Sequence, residues 1–309
     1  MIRLTSVFFA LLCACFLSMP SHAEVKLTAL HPILGNMARQ IGGDKVLVVD
    51  LLKANGNLHT FEPSPKEIAT AAGSKLVLAS GKQMEPYLDS LRDTLSSGSN
   101  DCAILELGAN IPDVPSSQHE GNKEEEHEHH DHSCCHHAND PHWWHTPSNM
   151  KRAARLLYSS LLKIDPTHAE QYKKNLSVWN KKMDSLDAWA RIQLADIPTD
   201  KKILVTGHAA MSHFCKEYGF HQIPIQGISR EDESNPARLA STLQKLRQLG
   251  IPVIFPEYSA NPKSLEEIAK TLNIPLGQAL ITDGLSPDTP QFEDMFRKNV
   301  LTIKQALSK

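Results

Sequence analysis

The stretch AEQYKKNLSVWNKKMDSLDAWARIQL, residues 169–194, decides the fold of this chain. Its apolar residues recur at alternating spacings of three and four, which places them along one face of an α-helix. At about 1.5 Å per residue, such a helix would be roughly 35–40 Å long, the diameter of a whole domain or more. We therefore predict a rigid helix that joins two lobes. The residues of its apolar face are Ala169, Tyr172, Leu176, Trp179, Met183, Leu186 and Ala190.

On both sides of this helix, short apolar segments alternate with segments of helical periodicity. Apolar strands of about four to six residues separated by helices indicate parallel βαβ units. We predict an α/β fold with two parallel-sheet lobes, residues 24–165 and 196–309, joined by one long helix within residues 166–195. Ligands of open α/β sheets bind at the carboxyl ends of strands, so the cleft between the lobes is the expected site. The predicted strands are 26–30, 46–51, 75–79, 103–107, 203–206, 220–225, 253–255 and 279–282.

The first 23 residues have the pattern of a targeting segment. The chain begins with the positively charged sequence MIR, residues 7–19 carry no charge and are mostly apolar, and a Ser-His-Ala cleavage site ends at Ala23. We predict a secretory signal peptide over residues 1–23 and export to the periplasm. A Leu-Cys-Ala-Cys segment ending at Cys15 faintly resembles a lipoprotein box. The apolar residues after Cys15 and the better site at Ala23 favour the cleaved signal peptide.

The composition argues against one class of partner and points to another. The chain has 309 residues, 41% hydrophobic and 22% charged, which is enough apolar surface for a packed core. Its formal net charge of −3 argues against nucleic acid, because phosphate binding needs clustered positive charge. Nine of its 16 histidines lie between His119 and His145. Histidine is the commonest side-chain metal ligand, so the composition indicates a metal.

Residues 118–138 interrupt the alternation of strands and helices. They contain seven histidines, five glutamates and two cysteines with almost no aliphatic residue, so we predict a mobile loop. Two interpretations stay open: a solvated low-complexity insert, or a secondary metal site that collects ions at low affinity. We expect no structural disulfide, with Cys102 and Cys215 as small buried residues. The candidate loop ligands are His127, His129, His130, His132, Cys134, Cys135, His136 and His137.

Four other residues lie where a ligand in the cleft would be. His208 and Asp283 follow predicted strands closely, His59 lies in the loop after the strand 46–51, and His142 lies just past the histidine-rich loop. Two of them belong to each lobe. Three imidazoles and one carboxylate form a tetrahedral N₃O set that suits zinc. Position alone is weak support, because a histidine near a strand end is more often an ordinary loop residue.

Five segments, in order, resemble motifs of the metal-specific solute-binding proteins of bacterial ABC importers. They are His-Thr-Phe-Glu-Pro-Ser-Pro at 59–65, Asp-Pro-His-Trp-Trp at 140–144, Val-Thr-Gly-His-Ala at 205–209, Ile-Phe-Pro-Glu at 254–257 and Thr-Asp-Gly-Leu at 282–285. The resemblance covers nearly all of residues 25–305.

The resemblance implies two lobes on a backbone helix, with His59, His142, His208 and Asp283 as the metal ligands. It further implies an extracytoplasmic receptor and not an enzyme. Such a receptor binds zinc with high affinity and delivers it to the permease of an importer, which works with an ATPase. We expect the protein to be a monomer. Manganese-preferring members tend to place Glu where this chain has His208, so the third histidine favours zinc, with manganese or iron as the alternative. The sequence departs from the family at His145 and Gly284.

Neighbouring acidic residues are candidates to support the ligands. Glu62 lies three residues after His59, and Glu257 ends a strand of the second lobe. Either carboxylate would accept a hydrogen bond from a metal-bound imidazole, the usual support of such a ligand. Glu62 has the alternative of capping the adjacent helix. We interpret His145 as a rim residue and Trp143, Trp144 and Trp179 as core.

Two other functions compete with transport. A zinc hydrolase would keep three protein ligands and an open water position, whereas four ligands close the site. The chain also lacks the H-E-x-x-H and G-x-S-x-G motifs of zinc proteases and serine hydrolases. A metal-binding adhesin or store without a transporter is the other alternative, and the sequence does not separate it from a receptor.

Overall fold

Parallel strands form the framework of the computed structural model, which describes residues 24–98, 101–116, 139–225, 236–258 and 262–308. The strands are β1 (Val25–Ala29), β2 (Val46–Asp50), β3 (Leu76–Ala79), β4 (Ala103–Glu106), β5 (Ile203–Thr206), β6 (His221–Pro224) and β7 (Ile254–Phe255). One sheet has the order β2-β1-β3-β4 and the other β6-β5-β7, and all neighbouring strands run parallel. The predicted α/β class with two parallel sheets is therefore confirmed.

Helices connect these strands, and capping residues mark where some of them begin or end. Pro65 is the first residue of its helix, and Ser64 and Glu67 form the reciprocal hydrogen bonds of a capping box before it. Gly219, with a φ of 72°, ends the helix that follows β5. The helices are α1 (Pro32–Gly42), α2 (Pro65–Ala72), α3 (Leu88–Ser96), α4 (Pro147–Ile164), α5 (Ala169–Leu194), α6 (Ser212–Tyr218), α7 (Pro236–Leu249), α8 (Lys263–Leu272) and α9 (Phe292–Leu307).

The long helix α5 packs against both halves of the molecule. It contacts α1 and α4 on one side and α9 on the other. Trp179 shows the arrangement: its indole N–H donates to the Met150 carbonyl in α4, and its ring lies 6.4 Å from that of Phe292 in α9. One continuous apolar cluster therefore runs from Leu27 in β1 to Phe255 in β7. Trp143 and Trp144 are also fully buried, as predicted.

A polar contact joins the two halves beside α5. The Asn36 side chain of α1 donates to Gln291 Oε1 at 2.9 Å, and its own carbonyl oxygen accepts the Phe292 backbone N–H at the start of α9 at 3.2 Å. The first half of the chain thus caps a helix of the second half. Together with the shared core, this contact opposes wide opening between the lobes. The exact division at residues 165 and 195 stays a prediction.

The predicted strand 279–282 does not form, which corrects the sequence analysis. This segment makes one isolated parallel bridge, between Leu280 and Glu257. The backbone N–H and C=O of Ile281 bond instead to the Asn299 side chain, at 2.9 and 2.8 Å. The Thr282 carbonyl accepts the Trp144 indole N–H at 3.0 Å. Side chains of distant segments therefore occupy the groups that a ladder would need.

Some predictions concern residues outside those that the structure describes. The signal peptide, residues 1–23, and the histidine-rich loop, residues 118–138, with all of its candidate ligands, lie outside the described residues. Among the residues that are described, Cys102 and Cys215 are free thiols; Cys215 is buried as predicted, whereas Cys102 is only half-buried, which corrects that prediction. No helix in the described part of the chain combines the length and apolar character needed to cross a membrane.

Candidate metal centre

Four segments converge at the carboxyl ends of the strands. His59 lies in the loop between β2 and α2, and His142 immediately precedes the short 3₁₀ turn Trp143–His145. His208 follows β5 by two residues, and Asp283 lies between the Leu280 bridge and α9. The structure thus brings together all four residues that the sequence analysis singled out as ligands, two from each half of the chain.

The ligand atoms of these residues have the spacing of a small tetrahedral site. The Nε2 atoms of His59 and His142 are 3.2 Å apart, and those of His142 and His208 are 3.4 Å apart. Asp283 Oδ1 lies 3.5, 3.3 and 3.2 Å from Nε2 of His59, His142 and His208, respectively. Tetrahedral bonds of ~2.0–2.2 Å require ligand atoms roughly 3.3–3.6 Å apart. The four groups therefore surround a space that fits one tetrahedral cation.

Two of the three imidazoles are held by buried carboxylates. His142 Nδ1 lies 2.8 Å from Asp140 Oδ1, and His208 Nδ1 lies 2.6 Å from Glu257 Oε2. Because a carboxylate accepts, each Nδ1 carries the proton, and each Nε2 lone pair faces the centre once the ring is neutral. Glu257 Oε1 also accepts the His208 backbone N–H at 2.9 Å. The predicted neighbour Glu257 is thus in contact with a candidate ligand.

Asp140 is a part of the site to which the sequence analysis gave no role. Its Oδ1 also accepts the His142 backbone N–H, and its Oδ2 accepts the Ser212 N–H at the start of α6, both at 2.8 Å. Its backbone carbonyl accepts from His213 Nε2 at 3.1 Å. One fully buried residue therefore orients a ligand and joins the two halves of the chain. Its place in the Asp-Pro-His segment, two residues before His142, was the available signal.

Other predicted neighbours lie elsewhere. Glu62 is exposed and lines a surface hollow with Pro63 and Tyr87, so the structure does not bring it to His59. His145 is buried and not at the rim, and its Nε2 donates to the Thr282 carbonyl at 2.9 Å. Gly284 has a φ of 148°, a conformation that favours glycine.

His31 is a buried histidine that the sequence analysis passed over. It follows β1 by two residues, as His208 follows β5. Its Nδ1 accepts the Ile33 N–H at the first turn of α1, and its ring lies 4.8 Å from that of Trp144. Burial lowers the pKa of His31 to about 3, so the ring stays neutral. The proline that starts α1 at the next position was the only sequence sign of this capping role.

Electrostatics place a proton inside the metal-free site. Burial lowers the pKa of His208, but the carboxylates of Glu257 and Asp283 outweigh burial and raise it to about 10. Against the same desolvation, Asp140 and Asp283 raise the pKa of His142. Burial would raise the pKa of Asp283, but the His208, His142 and His59 rings hold it well below its usual range. Around neutral pH, His208 is therefore a cation until a metal replaces its proton.

We expect metal binding to release protons at pH values both below and above neutrality. A metal takes only the neutral imidazole, and His208, with a pKa of about 10, is protonated across the physiological range. Apparent affinity should rise about tenfold per pH unit for each proton displaced, from pH 6 to beyond pH 8. Calorimetry of zinc binding in buffers of different ionisation enthalpy counts those protons. Zinc binding at pH 7.5 without proton release would contradict this protonation state.

Comparisons with known proteins place the chain among metal-binding proteins. Residues 28–306 match the family model described as "Zinc-uptake complex component A periplasmic", ZnuA. The chain is 26% identical to a Streptococcus anginosus protein named manganese ABC transporter substrate-binding lipoprotein PsaA, over 94% of this chain and 91% of that protein. It is 25% identical to a Yersinia pestis protein named iron-binding protein YfeA, over 91% of this chain and 85% of that protein.

A solved structure supports the fold separately. The structure titled periplasmic zinc binding protein TroA from Treponema pallidum superposes with a TM-score of 0.80 at 20% identity, covering 93% of this chain and all of that one. The relatives carry the names of manganese-, iron- and zinc-binding proteins, so their names do not decide the metal. The family consists of solute-binding receptors of ABC transporters and not of enzymes. This chain belongs to the ZnuA family of periplasmic metal-binding components.

Proposed function

We propose that this protein is the periplasmic zinc receptor of an ABC importer, with His59, His142, His208 and Asp283 as the ligands. It captures Zn²⁺ between its lobes and delivers it to a permease driven by an ATPase. The observation that carries the proposal is the convergence of three imidazoles and one carboxylate, with five of their six pairs of ligand atoms at 3.2–3.5 Å and all four atoms within 4.8 Å of one another. Four protein ligands leave no open position for a reacting water, which also fits a carrier better than a hydrolase.

Zinc fits this donor set better than manganese does. Mn²⁺ favours oxygen ligands in octahedral geometry, whereas Zn²⁺ accepts nitrogen in a compact tetrahedron. His208 supplies the third nitrogen, and Glu257 holds it in place. Manganese or iron binding is the alternative, since PsaA and YfeA are named for those metals.

An anaerobic competition titration tests the choice of metal, and an uptake assay tests delivery. Zinc should displace manganese and iron from the purified protein at equimolar concentration, and a preference for manganese would overturn the zinc proposal. Cells that lack the gene should take up radioactive zinc slowly at limiting concentration, and the restored gene should correct this. An adhesin or a store would leave uptake unchanged.

We also propose that residues 1–23 direct export and are removed after Ala23. Several relatives are named lipoproteins, so a lipid anchor at Cys15 is the alternative for this chain. The intact mass of the exported protein distinguishes an N-terminus at Glu24 from a lipidated one at Cys15.

Removing residues 118–138 should leave the tight site intact and abolish weaker ones. The deletion takes away seven histidines and none of the four proposed ligands. The chain ends to be joined are already adjacent: Pro115 and Asn139 form an antiparallel bridge, and the Asp140 N–H donates to the Val114 carbonyl at 2.8 Å. Calorimetric stoichiometry should fall from above one zinc per chain to about one, with the tight affinity unchanged. Loss of the tight site would place loop residues in the primary centre.

A further inference from the structure

The turn after β3 has an unusual backbone. Gly81, Lys82 and Gln83 have φ values of 73°, 56° and 64°, and the described residues contain no other run of neighbours with positive φ. The left-handed conformation is unfavourable for a residue other than glycine. Lys82 and Gln83 therefore need other contacts to hold them in it.

Glu85 holds the start of this turn from inside the protein. Its side chain is 97% buried, with Oε1 accepting the Ser80 N–H at 2.6 Å and Oε2 accepting the Gly81 N–H at 3.0 Å. Outside the turn, Lys82 pairs with the exposed carboxylate of Asp113. Of these two carboxylates, the one of Glu85 contacts the backbone just after β3.

The peptide between Ser80 and Gly81 connects Glu85 to the metal centre. Its N–H donates to Glu85, and its C=O accepts the Trp143 indole N–H at 3.2 Å and the Gly108 N–H at 2.9 Å. A peptide unit is planar and rigid. Glu85 bonds to its N–H and Trp143 to its C=O, so the two side chains together fix its position. Trp143 is fully buried and adjoins His142 in sequence.

We infer that Glu85 is a positioning residue for metal binding, which acts through the Ser80–Gly81 peptide and Trp143 to fix the backbone that carries His142. The inference rests on the proposed zinc function but adds a residue with no contact to the four ligands. Burial raises the pKa of Glu85 to about 7, against the Ser80 and Gly81 N–H groups that favour its ionised form. The Glu106 carboxylate, paired with Arg92, adds to the rise.

A double-mutant cycle on zinc affinity tests the inference. E85Q keeps one acceptor oxygen but places an NH₂ group against the second N–H, and W143F removes the indole donor. Direct partners of metal ligands typically change affinity by ~10–100-fold, so we expect about 3–10-fold for E85Q, one step further out. The double variant should lose no more than the larger single variant, because both act on one peptide. D113N, which removes the exposed ion-pair partner of Lys82 in the same turn, is the control and should keep the wild-type Kd.

Each outcome of this cycle has a defined meaning. A lowered Tm for E85Q with a Kd within twofold of wild type would show a merely structural role and overturn the inference. If the fold losses of zinc affinity in E85Q and W143F multiply in the double variant, the two residues act independently. That result would also overturn the inference. If E85Q does not fold, E85D, which keeps the charge on a shorter side chain, takes its place in the cycle. Failure of the wild type to bind zinc would contradict the proposed function instead.

Discussion

Replacing His208 by alanine is expected to lower zinc affinity on the order of 10²–10³-fold. Structural zinc sites bind with about 10–16 kcal/mol, or roughly 2.5–4 kcal/mol for each of four ligands. His208 is fully buried, and its Nε2 lies 3.2 Å from Asp283 Oδ1 and 3.4 Å from His142 Nε2. Competition with a chelator of known zinc affinity measures the change.

The same substitution should also destabilise the metal-free protein. Without the positive charge of His208, the buried carboxylates of Glu257 and Asp283 lose the group that offsets their negative charges. Unpaired buried charge is destabilising. Thermal unfolding without metal separates this effect from the loss of binding. His221→Ala is the matched control, since His221 pairs with Ile203 at the opposite end of β5. An equal loss of zinc affinity in that variant would contradict the assignment of His208.

Asp140→Asn should weaken zinc binding by about 10–100-fold and lower stability as well. Asp140 accepts from the His142 ring, the His142 N–H and the Ser212 N–H. An asparagine of the same shape has one acceptor oxygen, so at least one buried donor would face an NH₂ group. Loss of the negative charge also removes one of the carboxylates that raise the pKa of His142 in the metal-free state.

Glu257→Gln provides the comparison that separates the two roles of Asp140. Glu257 supports a ligand in the same way, through the ring and backbone N–H of His208. Asp140 additionally holds the start of α6, so Asp140→Asn should cost more stability than Glu257→Gln at similar loss of affinity. Chemical denaturation of both metal-free variants measures the difference. Unchanged zinc affinity in Asp140→Asn would show that its contact with His142 does not matter for binding.

The sequence predicted the fold and the ligand cluster because both leave periodic or local signals. The apolar face of residues 169–194 follows helical spacing, and each candidate ligand lies in a recognisable segment. The support of those ligands left no comparable signal. Glu62 is close to His59 along the chain, but α2 begins at Pro65 and the Glu62 side chain stays exposed. Asp140 gains its role from a backbone N–H at Ser212, a contact across 72 residues.

Long-range side-chain contacts also explain the other differences. Residues 279–282 have a strand pattern, but Asn299 takes the backbone groups of Ile281 from α9. His31 has the same position after its strand as His208, yet its ring caps α1 and does not join the cluster. Such outcomes depend on which distant groups compete for a hydrogen-bond donor. The periodic spacing of apolar residues in the sequence does not show which of them will bind it.

The apolar core that continues across α5 bears on how metal preference can evolve. Lobes with separate cores could be exchanged between relatives, and each would still fold. Here Trp179 contacts both Met150 and Phe292, so recombination at either end of the helix would pair core surfaces that never adapted to each other. Divergence among such receptors is then expected to proceed by substitution at single positions facing the cation, with the two lobes inherited together.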